Sequence, residues 1–189
     1  MNRKLFVMEV LGGAFIAVAS HFMSRLYALC DGELLGILFG SVNGSAWESC
    51  KTLLLPYLLW AVLEVLTLRL RVHRFAVVKT ASLYALGLSY LGFRSMEMNP
   101  AAAGVICTAA ALAMSCLLYC SPLPLRWLFA PSLVLLFLFT ALYFSLTPFP
   151  PHTPLFFDAA TGMYGIIPRS FDYGAAALNT VASCQKLSS

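Results

Sequence analysis

The sequence predicts an all-α, polytopic transmembrane bundle of five crossings plus a shorter re-entrant or interfacial half-helix, and three observations lead there. Of the 189 residues, 60% are apolar or aromatic and only 11% are charged, less than half the share of about 25% found in soluble domains. So few ionic groups cannot cover an aqueous surface. The apolar residues gather in five runs, each bounded by charge, Pro or Gly. These runs approach the roughly 20 residues needed to cross about 30 Å of hydrocarbon. The 12 Lys or Arg and 8 Asp or Glu are dispersed along the chain, so no basic stripe exists for a polynucleotide and no nucleic-acid partner is expected.

The first run, 5–29, follows Arg3 and Lys4. An Ala17-Val18-Ala19 stretch before Ser20 resembles a signal-peptide cleavage site. Glu9 interrupts the apolar region, however, and apolar character resumes from His21 to Leu29, so an uncleaved helix is expected. The run 34–39 is too short to cross. Non-helical backbone beside it is tolerated at membrane depth only where protein or trapped water satisfies it. Four further runs, 52–68, 75–93, 101–120 and 128–147, complete the crossings. Residues 1–169 then form one bundle, with 147–169 as an outer lid loop and 170–189 as a tail.

Orientation follows from Arg69, Arg71 and Arg74 in the short second loop, because dense positive charge beside a span resists translocation. With five crossings this places the N-terminus inside and the C-terminus outside. Trp47, Trp60, Trp127, Tyr27, Tyr90, Tyr119 and Tyr143 lie mostly near run ends, where an amphipathic ring prefers the headgroup level, and an aromatic belt is expected. The six cysteines show no C-x-x-C spacing; Cys107, Cys116 and Cys120 read as small buried hydrophobes. Cys30, Cys50 and Cys184 fall on the outer side, where a Cys30 to Cys50 bridge is conceivable. The Asn43-Gly44-Ser45 glycosylation triplet lies close to the membrane and carries little weight.

The informative stretch is 42–51, VNGSAWESCK. Ser45 followed three residues later by Glu48 forms a capping box, so a helix should start here and continue through Pro56 into the second crossing. Glu48 and Lys51 share a face and can pair, which lowers the cost of bringing either toward lipid. His21 and Arg25, four residues apart on the first helix, lie in the half leading to the same side. Glu9, Glu64 and Lys79 each lie within two turns of an expected cytoplasmic end and read as structural, with Lys79 able to snorkel and Glu64 able to reach Arg69 or Arg71. The Pro-rich segment 147–169 carries apolar Leu155, Phe156, Phe157, Ile166 and Ile167, which should fold it back over the outer helix ends and bring His152 and Asp158 toward Glu48 and His21. The structural alternative for both segments is a capped helix start with a surface ion pair and a rigid proline cap.

The motifs VNGSAWESCK and PPHTPLFFDAATGMYG resemble those of a family of small bacterial multi-pass membrane proteins of unknown function, in which the first reads VNES-x-WEH-x-K and the second PP-x-x-PLF-x-D with a following YG. Asn43, Ser45, Trp47, Glu48, Lys51, Pro150, Pro151, Pro154, Leu155, Phe156, Asp158, Tyr164 and Gly165 fit. Gly44 and Ser49 depart, standing where the family has Glu and His. The resemblance implies a bacterial cytoplasmic membrane and a shared functional region, without an activity.

Three function classes follow. The first is a membrane protein binding or passing a small polar solute or ion, with Arg25, Asn43, Trp47, Glu48, Lys51 and Tyr164 as ligand-binding residues. The second is a hydrolase or transferase acting on a lipid-linked substrate, with Glu48 as general base, His21 or His152 as acid-base partner and Asp158 orienting one of them. The third is a structural or assembly partner, with the small-x-x-x-small pairs Gly13/Ala17 and Ala81/Ala85 permitting close helix contact within the chain or with another protein. Zinc would need three protein ligands and an open position. His21, Glu48, His152 and Asp158 offer candidates without ligand-like spacing, so no metal and no cofactor are expected. Solute binding is the reading favoured here.

Overall fold

The computed structural model describes residues 3–68 and 70–166. Six helices follow one another: α1 (Arg3–Leu29), α2 (Leu34–Phe39), α3 (Ala46–Leu68), α4 (Val72–Ser95), α5 (Pro100–Cys120) and α6 (Phe129–Ser145). A 3₁₀ turn, Leu125–Leu128, leads into α6, and another, Pro154–Phe156, precedes two short antiparallel strands, β1 (Phe157–Asp158) and β2 (Met163–Tyr164). Among the described residues, five helices are long and apolar enough to cross a membrane, the fifth counted from Leu125 through Ser145. The chain is an all-α bundle of the membrane type. The cysteine at 184 and the tail lie outside the described residues.

Local chemistry sets the helix boundaries. The Asn99 side chain accepts hydrogen bonds from Ala101 N and Ala102 N, and Pro100 occupies the first turn of α5, where its missing N–H removes nothing. At the other end of α5, the Arg74 guanidinium on α4 donates to the carbonyls of Leu118, Ser121 and Leu123, tying α4 to the segment by which the chain leaves α5. Pro56 sits inside α3 without ending it.

The half-helix α2 packs back on the end of α1. A Cβ added to Gly36 would lie 2.8 Å from Tyr27 Cα, and one added to Gly40 would lie 2.8 Å from Tyr27 N. Only a residue without a side chain permits that approach. The reversal between the two helices runs through Asp31 and Gly32 at positive φ, 54° and 75°.

Helices α1 and α4 pack along α3, while α5 lies across α1 and α4, and α6 packs on α4. Ile16, Tyr57, Leu83, Leu86, Cys107 and Tyr143 belong to the continuous core between them. Val134, Phe137 and Leu138 of α6 are exposed, as a lipid-facing surface requires. The expected aromatic belt forms only in part. Trp127 is exposed, but Trp47, Tyr90 and Tyr143 are buried, because their helices turn those faces inward. Trp60 also points inward, donating from Nε1 to Met8 O at 3.1 Å. Cys30 and Cys50 are both free, Cys50 being fully buried in the α3 core, so the conceivable bridge does not form.

Candidate functional site

The polar stretch 42–51 and the loop 147–166 form one network. Ser45 caps α3 by accepting from Glu48 N at 3.3 Å, half of the expected capping box. The Glu48 side chain does not close the box on Ser45. It reaches back instead to accept from Val42 N at 3.2 Å, while Asn43 Oδ1 accepts from Ser45 N. The expected ion pair is present, with Lys51 Nζ 3.2 Å from Glu48 Oε2. Lys51 is wholly buried and Glu48 nearly so.

Thr147, which carried no signal in the sequence beyond preceding a proline, completes the arrangement. Lys51 Nζ donates to Thr147 Oγ1 at 2.6 Å, and that hydroxyl donates onward to Glu48 Oε1 at 2.8 Å. Lys51 Nζ also lies 3.5 Å from Ile37 O, so the charge pair joins α2, α3 and the end of α6. An ion pair removed from water persists when hydrogen bonds satisfy its remaining donors and lone pairs, and these do.

The loop after α6 is fastened to the same place. Asn43 Nδ2 donates to Gly165 O at 2.8 Å. The Trp47 ring lies against Phe156, with centroids 5.6 Å apart. Asp158 is buried, accepts from Ala160 N and the Thr161 hydroxyl, and faces Gly44, where an added Cβ would lie 3.0 Å from Asp158 Oδ1. The glycine thus makes room for a carboxylate belonging to the loop. Of the apolar residues expected to fold the loop back, Phe156 is buried and Leu155 half-buried, while Phe157 and Ile166 stay exposed and Ile167 lies outside the described residues.

Other candidate residues stand apart from this network. His152 is exposed and packs edge-on against Tyr164, centroids 4.9 Å apart. Tyr164 also touches Phe157. His21 and Arg25 are exposed on α1. None of His21, His152 and Asp158 hydrogen-bonds to Glu48 or Lys51 among the contacts of the described residues. Glu48, Lys51, Asn43, Trp47 and Asp158 converge as a latch for the loop. Arg25 and His21 do not join it, and among the described residues no group of three or more His, Cys, Asp or Glu is placed to hold a metal ion.

A second buried polar cluster lies toward the opposite end of the bundle. Lys79 Nζ is 2.9 Å from Glu9 Oε1, 3.0 Å from Glu9 Oε2 and 2.5 Å from Glu64 Oε2. Ser115 donates to Glu9 Oε1 at 2.7 Å. Lys79 thus does not snorkel, and Glu64 pairs across to α4 rather than with Arg71; Arg69 lies outside the described residues. Four helices meet at these groups. The available signal was the coincidence of two acids and one base at similar depth on different helices.

A groove of about 740 Å³ lies between α1 and α5, floored by Thr52 and Leu53 of α3. Its walls are mainly apolar: Val10, Ile16, Val105 and Leu112 among them. Small residues Gly13, Ala17, Gly104, Ala109 and Ala113 keep it open. Ser20, His21, Ser24, Ser41 and Ser49 gather at the end nearer the loop, and Glu9 and Cys116 at the other. From Glu9 to Ser24 the α1 wall rises about 22 Å at 1.5 Å per residue. Gly13 and Ala17 therefore line a cavity, and only their neighbour Gly12 makes the close helix contact, against the Trp60 ring of α3.

Comparison with protein-family models, with curated proteins and with solved structures returns no match.

Proposed function

We propose that this chain is a bacterial cytoplasmic-membrane protein that binds a small amphipathic molecule in the α1/α5 groove, with an apolar body between the helices and a polar end at His21, Ser24 and Ser41. The observation that supports this reading is the composition of the groove along its length. Its volume falls within the range of about 300–1,000 Å³ usual for ligand sites. Walls such as Ile16, Val105 and Leu112 cannot replace the hydration of a fully polar solute, but they suit a hydrocarbon chain. The hydroxyls and the imidazole at one end suit a headgroup. Lys51 and Glu48 are engaged with each other and with Thr147, so in this reading they hold the outer loop rather than the ligand.

The test is mass spectrometry of molecules that co-purify with the protein in detergent. The wild type should carry an amphipathic species at near-stoichiometric amount, and Ala109→Phe, which fills the groove, should lose most of it. An identical complement on both proteins, at bulk-lipid ratios, would refute groove binding.

A further inference from the structure

The geometry of the Glu9, Glu64 and Lys79 cluster points to a proton-binding site, and we propose that it carries one exchangeable proton on Glu64 at neutral pH. Fully ionised, the cluster holds two carboxylates against one ammonium. Among the described residues no second Lys or Arg pairs with either acid. Glu9, Glu64 and Lys79 are 4%, 0% and 5% exposed, and an uncompensated charge at that burial inside a membrane protein is costly enough to be neutralised. A proton is the smallest neutralising ligand. A metal cation fits poorly, because the Lys79 ammonium already occupies the space between the two carboxyl groups.

Hydrogen bonding decides which acid holds the proton. Glu9 accepts from Lys79 on both oxygens and from Ser115, so both of its oxygens already take hydrogen bonds from the protein. Glu64 has the Lys79 ammonium at Oε2, and among the described residues no hydroxyl donates to it as Ser115 does to Glu9. The other titratable groups facing the cluster are Tyr57 on α3, whose ring lies 5.3 Å from Lys79 Nζ, and Cys116 on α5, beside Ser115. The buried hydroxyls of Tyr57 and Ser82 lie in the same interior. Glu9 and Cys116 line the α1/α5 groove, which provides the route by which the proton exchanges.

Infrared spectroscopy of the full-length protein in lipid vesicles tests this directly. At neutral pH the wild type should show a protonated carboxylic-acid carbonyl band that shifts on transfer to D₂O. Glu64→Gln should remove it. Glu9→Gln should remove it too, because one remaining carboxylate balances Lys79, whereas Lys79→Met should increase it. No such band in the wild type, a band unchanged in Glu64→Gln, or a band that appears only when sodium and potassium are withdrawn would each overturn the assignment. Folding supplies a second readout: glutamine mimics the neutral acid, so Glu64→Gln should melt at or above the wild-type midpoint. A large drop would show that Glu64 is needed in its charged form.

Discussion

Replacing Lys51 with Met leaves the volume of the side chain nearly intact and removes its charge from the latch. In the wild type Nζ sits 3.2 Å from Glu48 Oε2, 3.4 Å from Oε1 and 2.6 Å from Thr147 Oγ1. After the substitution, Glu48, only 2% exposed, retains Val42 N and the Thr147 hydroxyl as donors but no cation. Removing one partner of a buried ion pair costs about 3–5 kcal/mol, chiefly because the other charge stays buried. The expected result is a loss of about that size in detergent unfolding, together with faster proteolysis within residues 147–166, since Thr147 anchors that segment. The double variant Glu48→Gln/Lys51→Met removes both charges while keeping an acceptor for Val42 N, and should recover more than half of the loss. Equal stability of Lys51→Met and wild type, or a double variant no better than the single one, would refute the view that the pair is held by mutual neutralisation.

Two further outcomes follow from packing and topology. Gly12→Leu should destabilise the α1/α3 contact, because a Cβ at that position would lie 2.4 Å from Trp60 Nε1 and displace the indole from Met8 O; overpacking of this kind costs about 1–3 kcal/mol, read as a lowered unfolding midpoint. With the N-terminus inside, as proposed, thiol labelling of intact cells should modify Cys30, which is half-buried just after α1, and leave the enclosed Cys50 untouched. Labelling of Cys30 by an impermeant reagent only after lysis would reverse the proposed orientation.

The legible parts of the fold were those set by length and periodicity. The run 34–39 coincides with α2, and the first and fourth apolar runs end where α1 and α5 end, at Leu29 and Cys120. Ser45 and Glu48 announced the start of α3 because N-cap chemistry is local. The spacing of Glu48 and Lys51 announced their pairing for the same reason, since three residues along a helix bring side chains together whatever surrounds them. Thr147 was not legible: its hydroxyl meets Lys51 across 96 positions of sequence, and nothing in the neighbouring residues specifies that encounter.

The same distinction separates the two buried charge clusters. The sequence by itself determined a membrane-spanning helical chain, the position of its crossings and a polar, capped start to the second of them, because hydrophobic length and helix-end chemistry are properties of contiguous residues. Only the tertiary structure decided that Glu9, Glu64 and Lys79, on three different helices, share one site with Ser115 of a fourth, and that Gly13 and Ala17 line a groove rather than a helix seam. Helix rotation and neighbour choice settle such encounters. They depend on how every apolar face is buried at once, and in a bundle whose helices are apolar nearly all round, no single segment records which face turns inward.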